Sequence, residues 1–174
     1  MQTRCHLSIL IHEQAKKYGN RDVLTFKTFG SSQWKNVSWN QFSLRVKQVS
    51  NAFLTLGMNP QDTIAVFSQN CIQYLYTDFG AYGIRAISIP LYATSSEQQV
   101  QFTINDAQVK YIFVGEQEQY DKAHRIFALC PSLERIIIYD HSVRISTHDP
   151  NALYFEDFLA LGENLPLQSE VEER

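Results

Sequence analysis

Residues 61–92 read QDTIAVFSQNCIQYLYTDFGAYGIRAISIPLY, a strand–helix–strand pattern that decides the fold class. The apolar run at 63–67 predicts a strand, Asn70 predicts the cap of a helix ending near residue 82, and residues 86–90 predict a second strand. A helix of this length between two short apolar strands is typical of parallel strands joined by a right-handed crossover. The stretch therefore predicts an α/β fold with a mainly parallel sheet and flanking helices.

The same alternation of strands and helices continues downstream of this stretch. Ser95 or Ser96 predicts a helix start, and Pro131 blocks continuation of the helix that precedes it. The predicted elements are a helix at 96–107, a strand at 111–115, a polar helix at 117–129, a strand at 135–140, a polar loop at 141–151 and a short helix at 155–161.

Upstream, the pattern predicts two helices separated by a β-hairpin near the N-terminus. Gly19 follows the first helix as a residue able to adopt a left-handed conformation, and Ser38 with Gln41 forms a capping-box pattern at the start of the second. The predicted elements are an amphipathic helix at 7–18, hairpin strands at 22–28 and 34–37, and a helix at 38–56.

Length and composition bound the number of domains and the class of partner. The chain has 174 residues, 44% of them hydrophobic, which is enough for one substantial core and too little for two ordinary domains. We predict a single α/β lobe at 1–162, followed at 163–174 by a tail or a truncated linker. The formal net charge is −3 with the signs spread along the chain, which excludes a nucleic-acid partner.

The cysteines and the hydropathy pattern indicate a reduced, cytoplasmic location. Cys5, Cys71 and Cys130 are odd in number and have no paired spacing or neighbouring histidines, which argues against disulfides and a metal site. The apolar run at 7–11 is too short for a secretory signal, and no run approaches the roughly 20 residues of a membrane span. We expect a cytoplasmic chain, with peripheral membrane association left open for the full-length protein.

Motifs for nucleotide binding and for nucleophilic catalysis are absent from the sequence. The glycines form neither a G-x-G-x-x-G pattern nor a glycine–lysine phosphate loop, and no serine lies in G-x-S-x-G. The turn at 68–70, Ser-Gln-Asn, offers no glycine for close approach of a pyrophosphate. This pattern argues against a dinucleotide site.

Two kinds of acidic cluster are candidates for chemistry, and both have a structural explanation. Asp140-His141 and His148-Asp149 lie in or beside the polar loop, where we interpret them as solvated residues. Glu116 and Glu118 fall where a helix begins, and acidic residues there complement the helix dipole. The sequence therefore assigns no catalytic, cofactor-binding or metal-binding residue.

Three segments together resemble the start of adenylate-forming acyl-CoA synthetases. They are VSWNQF at 37–42, GMNPQDTIAV at 57–66 and SIPLY at 88–92. The second resembles the family's G-D-x-V-A-I strand, with Gln61 in place of the glycine. The tyrosine after Pro90-Leu91 favours the long-chain fatty acid branch.

The resemblance implies the N-terminal part of a long-chain fatty acid CoA ligase, with ATP, Mg and CoA used by the full-length protein and none bound by the fragment. The family's Y-T-S-G-T-T-G-x-P-K-G phosphate loop would lie beyond Arg174, so the fragment is expected to be an inactive scaffold. Its expected partners are the remainder of the synthetase chain, the fatty acid in the full-length protein and, weakly, a second copy. A free-standing α/β interaction module and a small cofactor-binding protein remain as alternatives.

Overall fold

The computed structural model describes residues 7–163, which form alternating helices and strands. The elements are α1 (Leu7–Tyr18), β1 (Asp22–Lys27), β2 (Trp34–Ser38), α2 (Trp39–Thr55), β3 (Thr63–Phe67), α3 (Ile72–Gly83), β4 (Ile87–Leu91), α4 (Glu97–Asp106), β5 (Val109–Val114), α5 (Gln117–Ile126) with a 3-10 turn at Phe127–Leu129, β6 (Arg135–Ile138), β7 (Ala152–Tyr154) and α6 (Phe155–Ala160). Most of the predicted tail lies outside the described residues.

Five strands form one parallel sheet in the order β4-β3-β5-β6-β7, and β1 and β2 form a separate antiparallel hairpin. The predicted α/β class, the four predicted sheet strands and the hairpin are therefore confirmed. The fifth strand, Ala152–Tyr154, was not predicted. Three residues are too few for a strand to show a recognisable periodicity.

The sheet is buried on both faces. On one face Ile64 and Val66 pack with residues of α2, α3 and α6, including Val46 and Phe158. On the other face the alternate strand residues, including Phe67, pack with α4 and α5. All five residues of β3 are buried. This explains why β3 appears in the sequence as a continuous apolar run, as central parallel strands do.

Helix starts follow the predicted caps in two cases and differ in a third. Ser38 Oγ accepts a hydrogen bond from Gln41 N (3.3 Å), and Gln41 Oε1 accepts one from Ser38 N (2.9 Å), which closes the predicted capping box. Ser96 caps α4 in the same way. The predicted cap by Asn70 is wrong. Cys71 occupies the cap position of α3 without a side-chain cap bond, and Asn70 is exposed.

Three helix-to-strand turns place a non-glycine residue in the left-handed region. Gln61, Arg85 and Gln108 have φ values of 74°, 63° and 51° and precede β3, β4 and β5. The first two turns are linked, because Gln61 N donates to Arg85 O at 2.9 Å. A Cβ atom is unfavourable at such positions. Gln61 is also the position at which the resembling family has glycine, so the structure gives that difference a physical cost.

Candidate functional site

The strand order places a topological switch point between β3 and β5. The chain leaves β3 for α3 on one face of the sheet and leaves β5 for α5 on the other. In open α/β sheets, ligands bind in the crevice that this divergence opens at the carboxyl ends of the strands. The switch point is therefore the first place to look for a site.

In this chain the crevice between β3 and β5 is closed. Gly115 N donates to Phe67 O at 3.2 Å, so the two strands remain paired to their ends. A Cβ atom placed at Gly115 would lie only 2.5 Å from Ser68 Oγ, which means that Ser68 fills the space beside the glycine. Ser68 itself is buried, and its hydroxyl donates to Gln69 O at 2.8 Å. Open space lies instead at the carboxyl ends of β3 and β4.

A cleft of about 380 Å³ lies at the carboxyl ends of β3 and β4. The turn after β3 supplies a polar wall that includes the Gln69 and Asn70 side chains. The end of β4 supplies an apolar wall that includes Leu91 and Tyr92, and Tyr74 of α3 also lines the cleft. This volume falls within the range of small-molecule pockets, which is about 300–1,000 Å³.

The lip of the cleft is the turn at 92–96, which is fixed to α5. Gln119 Nε2 donates to Ala93 O and Lys122 Nζ donates to Ser95 O, each at 3.0 Å. Within the turn, Ser95 N donates to Tyr92 O at 2.9 Å. Tyr92 is nevertheless 86% exposed. The cleft thus carries a solvent-facing aromatic ring on a well-anchored backbone.

The electrostatics of the cleft do not favour an anion. Burial, reinforced by the nearby Asp78 carboxylate, raises the pKa of Tyr74 to about 12, so its hydroxyl is neutral at neutral pH. Burial also raises the pKa of Asp78, an effect opposed by the hydrogen bond that Ser88 Oγ donates to it at 2.6 Å. None of the described residues that line the cleft carries a charged side chain. Phosphate groups would meet no compensating cation here.

Cys71 lies beside the cleft without the properties of a nucleophile. Burial raises the pKa of its thiol, an effect partly opposed by the nearby backbone N–H groups at the start of α3 and by Ser68. A thiol with a raised pKa is protonated at neutral pH and reacts slowly. Burial therefore gives Cys71 the environment of a structural thiol.

The polar loop is attached to the body of the protein by a buried carboxylate. Asp149 Oδ2 accepts hydrogen bonds from Tyr120 Oη (3.1 Å) and from His124 Nδ1 (2.9 Å). Asp149 Oδ1 accepts one from Asn151 N at 3.1 Å. The interpretation of Asp149 as a solvated loop residue was therefore wrong, whereas His148 is exposed. The available signal was Tyr120 and His124, four residues apart on one face of a helix.

The other acidic candidates have structural roles. Glu116 occupies the cap position of α5, and Glu118 pairs with Lys122 at 2.8 Å. The Lys122 hydrogen bond lowers the pKa of Glu118, which is fully exposed. Among residues 7–163, no group of three or more histidine, cysteine or acidic side chains is arranged to hold a metal ion.

Residues 11–160 match the family model described as AMP-binding enzyme. The chain belongs to this family. The family implies ATP, Mg²⁺ and CoA for the complete enzymes. The described cleft does not fit the phosphates of ATP, because it offers neither a cation nor a glycine-rich backbone loop.

Curated relatives of this chain include long-chain-fatty-acid–CoA ligases. The ACSBG1 ligase of Rattus norvegicus is 27% identical over 157 residues, which cover 90% of this chain and 21% of that protein. The ACSBG2 ligase of Xenopus laevis is 24% identical over the same length. The chain therefore spans about a fifth of the length of these relatives. The resemblance found in the sequence is confirmed.

Solved ligase structures share the fold. The anthranilate CoA ligase AuaEII, in complex with anthranoyl-AMP, superposes with a TM-score of 0.80 at 17% identity, covering 98% of this chain and 30% of that one. Coronafacic acid ligase from Pectobacterium brasiliense gives a TM-score of 0.78 at 15% identity, covering 93% and 31%. Within residues 7–163, no helix has the length and apolarity needed to span a membrane.

Proposed function

We propose that this chain is the N-terminal lobe of a long-chain fatty acid CoA ligase, and that the 174 residues alone act as a scaffold without catalytic residues. One observation carries the proposal. The family match runs from 11 to 160, and the cleft that the matched sheet forms has no charged side chain. The lobe thus has the architecture of the ligases, and its described cleft lacks a cation that could neutralise phosphate.

The proposed substrate of the full-length protein is a long-chain fatty acid. The long-chain ligases among the curated relatives support it, as does the apolar wall that Leu91 and Tyr92 form at the end of β4. The remainder of the synthetase chain is the proposed main partner of the lobe. ATP, Mg²⁺ and CoA are then bound by the full-length protein, which we place in the cytoplasm.

The scaffold role follows from where the lobe is rigid. Gln119 and Lys122 fix the lip of the cleft, and Ser68 with Gly115 closes the switch point. These contacts shape one side of a cavity without supplying an acid, a base or a phosphate ligand. Electrostatic stabilisation of the reacting phosphates contributes most of the catalysis in such chemistry, and it has to come from other residues.

Two measurements test the proposal. The purified 174-residue chain, incubated with Mg-ATP, CoA and palmitate, is expected to release no pyrophosphate above a heat-denatured control, while the rat ligase assayed in parallel does. The transcript is expected to continue past codon 174 into a phosphate-loop sequence. A stop codon at that point would favour the free-standing interaction module, and pyrophosphate release by the chain would refute the scaffold role.

A further inference from the structure

β4 is an outer strand of the sheet, and its backbone has an open side. Ile87 N donates to Asp62 O at 2.9 Å, toward β3. Because the direction of backbone hydrogen bonding alternates along a strand, Ser88 and Pro90 direct their backbone groups away from β3. No strand within residues 7–163 pairs with that side. Proline has no N–H, so Ser88 supplies the outward donor of this strand.

The side of the molecule around β4 is also rich in exposed apolar side chains. Two surface clefts border α3 and β4, and three of the large exposed apolar residues line them. These residues are Leu7, Ile87 and Tyr92. Exposed apolar side chains grouped on one surface mark interaction sites on proteins. The open strand and the apolar surface therefore coincide.

We propose that two copies of this chain associate by antiparallel pairing of their β4 edges about a two-fold axis, with Ser88 opposite Ser88 of the second copy. In this register each Ser88 N–H donates to the C=O of the other Ser88. Ile87 of each copy lies opposite Ile89 of the other, on one face of the joined sheets. Pro90 falls opposite position 86, one residue before β4 begins, where its missing donor is not needed.

A second copy of this chain is the partner that best matches the β4 edge. A two-fold axis requires a donor and an acceptor on the same residue, and Ser88 presents both while its side chain is engaged by Asp78. A longer foreign strand would gain little beyond these bonds, because Pro90 cannot donate. The five residues of β4 are uncharged, so no like charges would face each other across the axis.

The small number of shared hydrogen bonds predicts a weak dimer. Association has to offset lost translational and rotational freedom before any affinity appears. We expect a dissociation constant of about 10 μM to 1 mM. The dimer is therefore populated at high protein concentration and dissociates on dilution.

Sedimentation velocity on the 174-residue chain, from 10 μM to 1 mM, tests the proposal. The mean mass is expected to rise with concentration. Ile87→Lys places a charge at the edge and is expected to weaken association at least about tenfold. The matched control is Phe102→Lys, because Phe102 is more exposed (70% against 43%) and lies on α4 rather than on the β4 edge. This control is expected to leave association unchanged.

A disulfide probe tests the register. Residues directly opposite in an antiparallel pair have Cα atoms about 5.5 Å apart at hydrogen-bonded positions, within the range that a disulfide spans. In a chain carrying Cys5→Ser, Ser88→Cys is expected to give a disulfide-linked dimer under mild oxidation, whereas Gln98→Cys, exposed on α4, is not. A constant monomer mass up to 1 mM overturns the proposal. So does equal loss of association in the two lysine variants, or equal cross-linking of the two cysteine variants.

Discussion

Replacing Gln61 by glycine is expected to stabilise the chain. The residue has a φ of 74°, its side chain is exposed, and its N–H bond to Arg85 O does not involve the side chain. An L-residue in the left-handed region costs about 1–2 kcal/mol, and relief of this strain is the gain. Against this gain, glycine increases the entropy of the unfolded chain, which lowers the free energy of unfolding by about 0.4–1 kcal/mol. The net gain expected for Gln61→Gly is about 0.5–1 kcal/mol.

Urea unfolding measures this gain as a shift of the midpoint at constant slope. For a chain of this size, 1 kcal/mol corresponds to about 2–4 °C in Tm, so thermal unfolding gives a second readout. Gln61→Ala keeps the Cβ atom and is expected to be near neutral. The matched control is Gln69→Gly, because Gln69 is exposed and lies outside the positive-φ set, so there glycine should destabilise by about 0.5–1 kcal/mol. Equal effects of glycine at positions 61 and 69 would refute the reasoning.

Three further outcomes are expected. Asp149→Ala removes the buried acceptor of Tyr120 and should cost about 1–3 kcal/mol in urea unfolding, while His148→Ala, next to it and exposed, should be nearly neutral; similar losses would contradict the anchoring role of Asp149. Because the pKa of Asp78 is raised, the folded state binds more protons than the unfolded state, so this group lowers stability as pH rises above about 3.8. Asp78→Asn should therefore be more stable than the wild type at pH 7 and lose that advantage on acidification, and a constant difference between pH 3 and 7 would be the contrary result. The isolated chain should release no pyrophosphate from Mg-ATP with any fatty acid, as measured against the heat-denatured control described above.

The sequence predicted those strands of the sheet whose hydropathy pattern is determined by burial alone. Residues 63–67 and 135–138 are buried or nearly so on both faces, and such strands appear as continuous apolar runs between turn residues. Ala152–Tyr154 lacks that signature because three half-buried residues carry no period. The Asn70 cap failed for a local reason, since the turn after β3 continues one residue further and α3 begins beyond Cys71.

The site was less predictable than the fold because its shape depends on contacts between distant segments. The closure of the switch point joins Ser68 to Gly115, and no local pattern links these two positions. The burial of Asp149 likewise depends on Tyr120, which lies 29 residues away in the chain. Local composition correctly indicated a polar loop, and it could not indicate that one carboxylate of the loop turns inward.

The strand order has a consequence for synthesis on the ribosome. β3, the first strand of the sheet to be made, receives β4 and then β5 on its two sides, and β6 and β7 follow outward. Each later strand therefore pairs with a neighbour that has already left the exit tunnel. Chain elongation at about 5–20 residues per second is slow compared with helix and hairpin formation, so the sheet can grow during translation. No strand after β3 has to wait for a partner still to be made, which shortens the time during which an unpaired inner edge is open to nascent chains nearby.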